Sequence, residues 1–400
     1  MLKNTDSQNT IAGIRNGRIV TPQGVIENGF IRIDGSKISD ISSSESILNN
    51  SDGKIIDAKG KWVLPGFIDI HCHGGKGCDV MDGKLSDIDT IANYHASGGT
   101  TAFLPTTASS SIELILQALD AVHQARVYGV NGAKVIGAHI EGPYFCYAKR
   151  GCHLPKFVRN PRPQEYNRIL EFSDGIASMT LAPELDGSES LIRALVNNDI
   201  LVSIGHSDAT YAQVLDAVKW GARHVTHLYC AMSTLVKNGP VRISGVVESA
   251  LLLDELTVEF IADGRHVPPE LIMLAIKAKG IDNVCVVTDA MRGAGMPSGV
   301  YTFGPSDGQE VLVQDEIAIM PDRSGYASTV LRMKDLVKTL INLVGLNLTD
   351  AVKMASIVPA RIIGVDDQMG SLEKGKDANI IIADDDLEIS MTIIDGVTLL

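Results

Sequence analysis

Residues 63–73 read Val63-Leu64-Pro65-Gly66-Phe67-Ile68-Asp69-Ile70-His71-Cys72-His73. The run is largely apolar up to Ile70 and then turns to imidazole. Side chains two apart on a strand point to one face, so Phe67, Asp69, His71 and His73 share a side while Ile68, Ile70 and Cys72 share the other. Two imidazoles then project together from a strand's C-terminal end. Neutral imidazole is the commonest nitrogen ligand of zinc-like metals, and the C-terminal rim of a parallel barrel is where active sites are built. A metal site opening at His71 and His73 is therefore the first expectation. For an isolated pair, the alternative is one core histidine beside one exposed histidine.

Outward from this stretch, apolar strand-like runs recur at 100–104, 134–140, 179–182, 201–204, 225–228, 257–261 and 283–288, with helical patterns such as 111–128, 211–220 and 270–279 between several of them. Near-continuous apolar strands separated by helices indicate a parallel sheet covered on both faces. With 63–70 they fit a (β/α)8 TIM-like barrel better than an open sheet. Polar residues gather just after the runs, at His71/His73, Glu141, Glu184, His206, His227, Asp263/His266 and Asp289. Chance would scatter them before strands as often as after; a barrel brings all of them to one rim. His224, read as preceding its strand, is assigned a structural role, and His139 that of a packing histidine inside the barrel.

The two ends of the chain read differently. Residues 14–20 and 30–38, and again 379–383 and 391–396, are β-branched runs punctuated by Asn-Gly and Asp-Gly turn signals. They are expected to pair into a small β-sandwich domain made of 1–60 and 365–400, enclosing a catalytic barrel of 61–364.

Composition narrows the function. The 400 residues carry 48 acidic and 35 basic side chains, a net charge of −13, which disfavours a nucleic-acid or anionic-membrane surface. A locally basic stretch, Lys149, Arg150, Lys156, Arg159 and Arg162, is read mainly as a solvated loop face. No apolar run reaches the roughly 18 residues of a membrane span. The N-terminus lacks a secretory core, and six cysteines without regular spacing do not suggest a disulfide framework. A cytoplasmic protein acting on a small molecule, with no nucleic-acid or membrane partner, is expected.

The rim residues suit metal-assisted hydrolysis. An ionised Glu141, left at the rim by the Gly142-Pro143 break, can bind or bridge divalent metals. His206 and His227 close their strands in the same way. Asp289, ending Val286-Val287-Thr288-Asp289, is placed to act as general base on a water and to return the proton to a leaving nitrogen.

These residues lie in segments that resemble the amidohydrolase superfamily and, within it, the N-acetylglucosamine-6-phosphate and N-acetylgalactosamine-6-phosphate deacetylases. The segments are PGFIDIHCHGG (65–75), GGTTAFLPTT (98–107), HIEGPYF (139–145), KRGCHLPKFVR (149–159), LAPE (181–184), GHSDAT (205–210), THLYCAM (226–232), IADGRH (261–266), VTDAM (287–291) and GSLEKGKDANIII (370–382), in order along nearly the whole chain. The resemblance implies that Glu141, His206 and His227 bind the principal ion and that His71 and His73 allow a second bridged by Glu141. Asp289 would be the catalytic acid/base, touching the metal centre. His153, His266, Cys230, Ala231, Asn238 and Ser328 fall at substrate-contacting positions. The implied cofactor is a divalent metal (zinc, iron, manganese or similar), one or two ions per subunit, and the implied assembly is a homodimer.

The implied reaction is hydrolysis of the N-acetyl group of an amino sugar phosphate, releasing acetate and the amine. Deacetylation of a related non-phosphorylated N-acyl substrate, or a cyclic amidase or deaminase reaction, stands as the alternative, and a non-catalytic scaffold comes last. One departure bears on substrate: after THLYxAM the family has an Arg-Glu-Pro-Gly and an Asn in place of Cys230, whereas here Asn238 stands where that arginine is expected. Asparagine cannot reproduce a bidentate phosphate clamp. Residues 324–329 also depart from the usual Ala-Gly-Ser.

Overall fold

The computed structural model describes residues 10–48 and 53–399; the N-terminal residues 1–9, read above as lacking a secretory core, lie outside them. Parallel strands succeed one another around a barrel: Phe67–Cys72, Thr100–Thr107, Ala138–Glu141, Ile176–Leu181, Leu201–Ile204, His224–Val225, Thr257–Phe260 and Val284–Val286. Each is in parallel register with the one before it. A bridge between Cys72 and Ala290, and the Asp289 N–H donating to the His71 carbonyl at 2.8 Å, bring the last strand's end back to the first. The expected α/β barrel is present.

Its helices begin and end where local chemistry dictates. Ser111 caps Ile112–Tyr128 by accepting from the Leu114 N–H, and Gly129 ends it at φ 77°. Thr210 and Gln213 form a reciprocal capping box on Tyr211–Trp220. The apolar faces of both helices, through residues such as Leu119, Val122, Val214 and Val218, pack into the same core as Ile140, Val202 and Val258.

Strands from both ends of the chain form one eight-stranded sheet. Ile380–Ala383 pairs antiparallel with Trp62–Pro65, which in turn runs parallel to the long first strand, Ile11–Thr21. This sheet buries its own apolar cluster, including Ile14, Ile19, Ile31, Ile38, Val63, Ile380 and Ile393. The β-branched content of these runs suits a pleated, half-buried surface.

The run 63–70 is not a single strand. Trp62–Pro65 belongs to the terminal sheet and Phe67–Cys72 to the barrel. The change of sheet falls at Gly66, whose N–H donates to the Asn379 carbonyl at 2.9 Å. A Cβ there would lie 2.1 Å from Thr101 Oγ1 and 2.6 Å from Thr101 Cβ, so a residue without a side chain lets the two sheets meet. Gly66→Ala is expected to lower unfolding stability by about 1–3 kcal/mol through overpacking, measured as the urea midpoint. An unchanged midpoint would contradict the close approach.

His224 does not precede its strand. It lies buried within the strand His224–Val225, its Nε2 3.1 Å from Glu259 Oε2, because pairing with Thr257 and Ser203 draws it into the sheet. Periodicity alone starts the strand one residue later, at the first apolar side chain.

Candidate active site

The C-terminal ends of the barrel strands deliver the polar residues to one place. Glu141 ends Ala138–Glu141, while His206, His227 and Asp289 follow shortly after their strands. His206, His227 and Asp289 adopt left-handed backbone angles, φ 49°, 31° and 45°, as do Ala231 at 50° and Ser328 at 88°. Non-glycine residues seldom adopt this conformation, and it is concentrated where a surrounding structure over-determines the chain, commonly at functional sites. Here it turns each side chain inward over the barrel mouth.

Glu141 is at the centre and only 2% exposed. Its Oε1 lies 3.1 Å from both His206 Nε2 and His227 Nε2, and its Oε2 is 3.2 Å from His73 Nε2 and 3.1 Å from His153 Nε2. His206 Nε2 and His227 Nε2 are 3.1 Å apart; His71 Nε2 and His73 Nε2 are 3.2 Å apart. Asp289 Oδ1 stands 3.2 Å from His73 Nε2 and 3.5 Å from His71 Nε2.

The outer nitrogens decide what these rings offer. His206 Nδ1 faces the Lys149 carbonyl at 2.8 Å and His73 Nδ1 the Thr106 carbonyl at 3.2 Å, while His71 Nδ1 faces Glu259 Oε1 at 2.8 Å. Carbonyls and carboxylates only accept, so each Nδ1 carries the hydrogen, and in the neutral ring Nε2 presents a bare lone pair. Three such lone pairs converge with a carboxylate in a buried space. That donor set repels itself unless a cation or protons sit among it, and it fits a divalent ion. Of the four groups among the described residues that are close enough to share one, two lie in this cluster: His71, His73 and Glu141, and Glu141, His153 and His206.

His153 differs in kind. The Ser109 N–H donates to its Nδ1 at 3.1 Å, so the hydrogen of the neutral ring is on Nε2, which donates to Glu141 Oε2. It presents a proton where its neighbours present lone pairs. This favours His153 as a hydrogen-bond donor to a bound molecule and leaves His227, within reach of Glu141 and His206, as the third donor of that group.

Electrostatics agree with a cation site. Burial opposes a charged His71, yet Asp289, Glu141 and Glu259 hold its pKa well above the usual value. His73 is likewise raised to about 9 against burial by Asp289 and Glu141. His206, where burial prevails over Glu141, is lowered to about 4. Burial opposes ionised Glu141 and Asp289, but the surrounding histidines keep both below the usual carboxylate range. Protons and a divalent ion would compete for the same lone pairs, so ion binding releases protons.

A cavity of about 340 Å³ opens beside this cluster. Glu141, His153, His206, His227, His266 and Asp289 line it, as do Cys230, Ala231 and Ser328. His71 and His73 are fully buried and lie outside its lining. His266 is steered by Asp263, whose Oδ2 accepts from its Nδ1 at 2.7 Å. Ser328 donates to the Asp289 carbonyl and lies 3.4 Å from Asp289 Oδ1.

Two expected residues stand elsewhere. Asn238 is on the exposed hairpin Val236–Asn238/Val241–Ile243 and does not line the cavity. Glu184 accepts from Ser207 Oγ and the Asp208 N–H at 2.7 and 2.6 Å, bracing the loop that carries His206 rather than entering the site. Conversely, Tyr326 lines the cavity and packs its ring 4.7 Å from that of His266; the unusual Gly-Tyr-Ala of 325–327 was its only trace in the sequence. The basic stretch is largely paired: Lys156 with Asp307, Arg159 with Glu165, and Lys149, which lines the cavity, with Asp208.

Histidines and carboxylates thus converge on the C-terminal rim of a parallel barrel that is joined to a sheet built from both ends of the chain. The Amidohydrolase family model matches residues 62–399, and the chain belongs to that family. It is 36% identical to the N-acetylglucosamine-6-phosphate deacetylase of Bacillus subtilis (strain 168) over 388 residues, 96% of each chain. It is 32% identical to the N-acetylgalactosamine-6-phosphate deacetylase of Escherichia coli O157:H7 over 384 residues, 96% of this chain and 98% of that one. Among solved structures, N-acetylglucosamine-6-phosphate deacetylase from Pasteurella multocida superposes with a TM-score of 0.89 at 32% identity, covering 96% of this chain and 98% of its own.

Proposed function

We propose that this protein hydrolyses the N-acetyl group of an amino sugar phosphate, N-acetylglucosamine-6-phosphate or its galacto epimer, in a metal-dependent reaction. The observation that carries the reading is the meeting, beside one cavity, of bare imidazole nitrogens around Glu141 with the Asp289 carboxylate and the His153 N–H. The deacetylases among its relatives supply the substrate class.

In this reading Glu141, His206 and His227 hold the principal ion, and His71 and His73, with Glu141 between the groups, hold a second. Nitrogen and oxygen donors without a thiolate suit zinc, iron or manganese. When bound, such an ion supplies Lewis acidity, polarising an amide carbonyl and making water more acidic. Asp289, ionised and anchored through its backbone to the first strand, takes a proton from the attacking water. As the carbon–nitrogen bond breaks it passes that proton to the departing nitrogen, leaving acetate and a free amine. His153 donates its Nε2–H to the oxygen on which negative charge develops. His266, Ser328, Cys230 and Ala231 border the remaining space, where the sugar would lie.

Removing the Nε2–H donor by His153→Phe is expected to lower kcat about 10²–10³-fold, the usual effect of losing one oxyanion donor. Ion content measured on the same sample should stay at the parent level. Loss of the ion together with the rate would instead make His153 a ligand.

A second reading, a non-phosphorylated N-acyl substrate, is favoured by Asn238, which stands where the resemblance expects a phosphate-binding arginine and lies outside the cavity lining, whose one lysine, Lys149, is paired with Asp208. A deacetylation panel separates the two: both N-acetylhexosamine-6-phosphates, their unphosphorylated sugars and N-acetyl amino acids. Preference for the phosphorylated sugars supports the first reading; equal or better turnover of the unphosphorylated sugars supports the second.

The exposed Leu235, Val236 and Val241 at and beside the Asn238 hairpin suit cover by a second copy, and a homodimer is proposed. Six free cysteines fit a cytoplasmic setting, and no helix among the described residues is long and apolar enough to cross a membrane.

A further inference from the structure

One buried carboxylate takes no part in the chemistry above. Glu259 lies in the barrel strand Thr257–Phe260, 2% exposed, on an interior normally filled by branched apolar side chains. A buried carboxylate is costly unless every lone pair finds a partner. Here its partners all belong to histidines. Oε1 accepts from His71 Nδ1–H at 2.8 Å and from the backbone N–H of His227 at 3.1 Å, and Oε2 lies 3.1 Å from His224 Nε2. His224 is held in turn by Thr257 Oγ1, 2.7 Å from its Nδ1.

One oxygen atom therefore touches a member of each donor group. Its contact with His71 is the more consequential. The acceptor fixes the hydrogen on Nδ1 and aims the bare Nε2 at His73 Nε2, 3.2 Å away, and at Glu141 and Asp289, each 3.5 Å away. Without it His71 could carry its hydrogen on either nitrogen, and in one of those tautomers it offers the cluster no lone pair. His206 and His73 take the same orientation from backbone carbonyls, which substitution cannot remove. His71 alone among these three depends on a side chain.

We propose that Glu259, braced by His224, is a positioning residue that sets the His71 tautomer and so builds the second ion site of this barrel. The proposal rests on the metal-dependent reading above. Partners that hold a liganding histidine by its outer nitrogen typically change metal affinity by about 10–100-fold when removed.

The test is ion binding without substrate. Parent, Glu259→Gln and Glu259→Leu proteins are stripped with a chelator, checked for folding by thermal denaturation, and titrated with Co²⁺ and separately with Mn²⁺. Ions per subunit, the dissociation constant of each and the Co²⁺ visible spectrum are recorded. The parent should bind two ions. Glu259→Leu should weaken the second by about 10–100-fold and leave the first in place. Glu259→Gln, whose amide oxygen can still accept from His71, should weaken the second less. Should the leucine variant fail to fold, the glutamine variant decides alone, by a selective loss of second-ion affinity or by none.

Two ions bound with parental affinity by the folded variants would overturn the proposal, as would equal loss of both ions or a parent that binds only one. Failure of the underlying reading looks different: a parent that binds ions yet hydrolyses no N-acetyl substrate, or that binds none.

Discussion

Asp289→Asn is expected to keep the ion proposed for Glu141, His206 and His227 and to lose about 10²–10⁴-fold in kcat, the range attributed to a positioned acid/base. Asparagine preserves the size of the side chain and an acceptor oxygen, and the backbone contacts that fix residue 289 are independent of its side chain. Those are its N–H to the His71 carbonyl at 2.8 Å and its carbonyl accepting from Thr329 N–H at 3.0 Å. What asparagine cannot do is accept a proton and return it. The measurement is single-turnover release of acetate alongside metal analysis of the same sample. Near-parental turnover would remove Asp289 from its role.

Glu141→Ala should have the larger effect on binding. Both donor groups at the rim contain Glu141, and its two oxygens touch His206, His227, His73 and His153. Removing it deletes one ligand and leaves those imidazoles without the charge that orders them. Ion content is expected to fall to background under conditions that saturate the parent, with hydrolysis falling alongside it. The fold should persist, because the large apolar cluster in which strand residues such as Ile140, Val202 and Val258 meet the helices does not include Glu141. A stoichiometric ion in the Glu141→Ala protein would place the metal elsewhere.

Much of this site can be read from period and position. The two-residue spacing of His71 and His73 puts both rings on one face, and their Nε2 atoms do meet at 3.2 Å. The rule that chemistry follows the strand rather than precedes it finds Glu141, His206, His227 and Asp289. It also misplaces Glu184, because a residue after a strand can brace a loop as readily as enter a cavity.

What could not be read depends on closure of the barrel. Gly66 divides an unbroken apolar run because Thr101, 35 positions later in the chain, occupies the space its side chain would need. The tautomers that distinguish His153 from His206 are set by partners at Ser109 and Lys149, far away in sequence. Glu259 left one usable trace: a glutamate between Val258 and Phe260 in an otherwise buried run, a place where an acid is costly without a purpose.

Ions around Glu141 are proposed to serve amide hydrolysis on an amino sugar phosphate. The most direct measurement follows acetate and free amine released from N-acetylglucosamine-6-phosphate and its galacto epimer by purified protein, before chelation, after it, and after zinc, iron or manganese is restored. The expected result is equimolar acetate and amine from at least one of the two sugars, abolished by chelation and recovered with metal. Release that persists undiminished in the ion-free protein, or no release from either sugar by the fully loaded one, would contradict it.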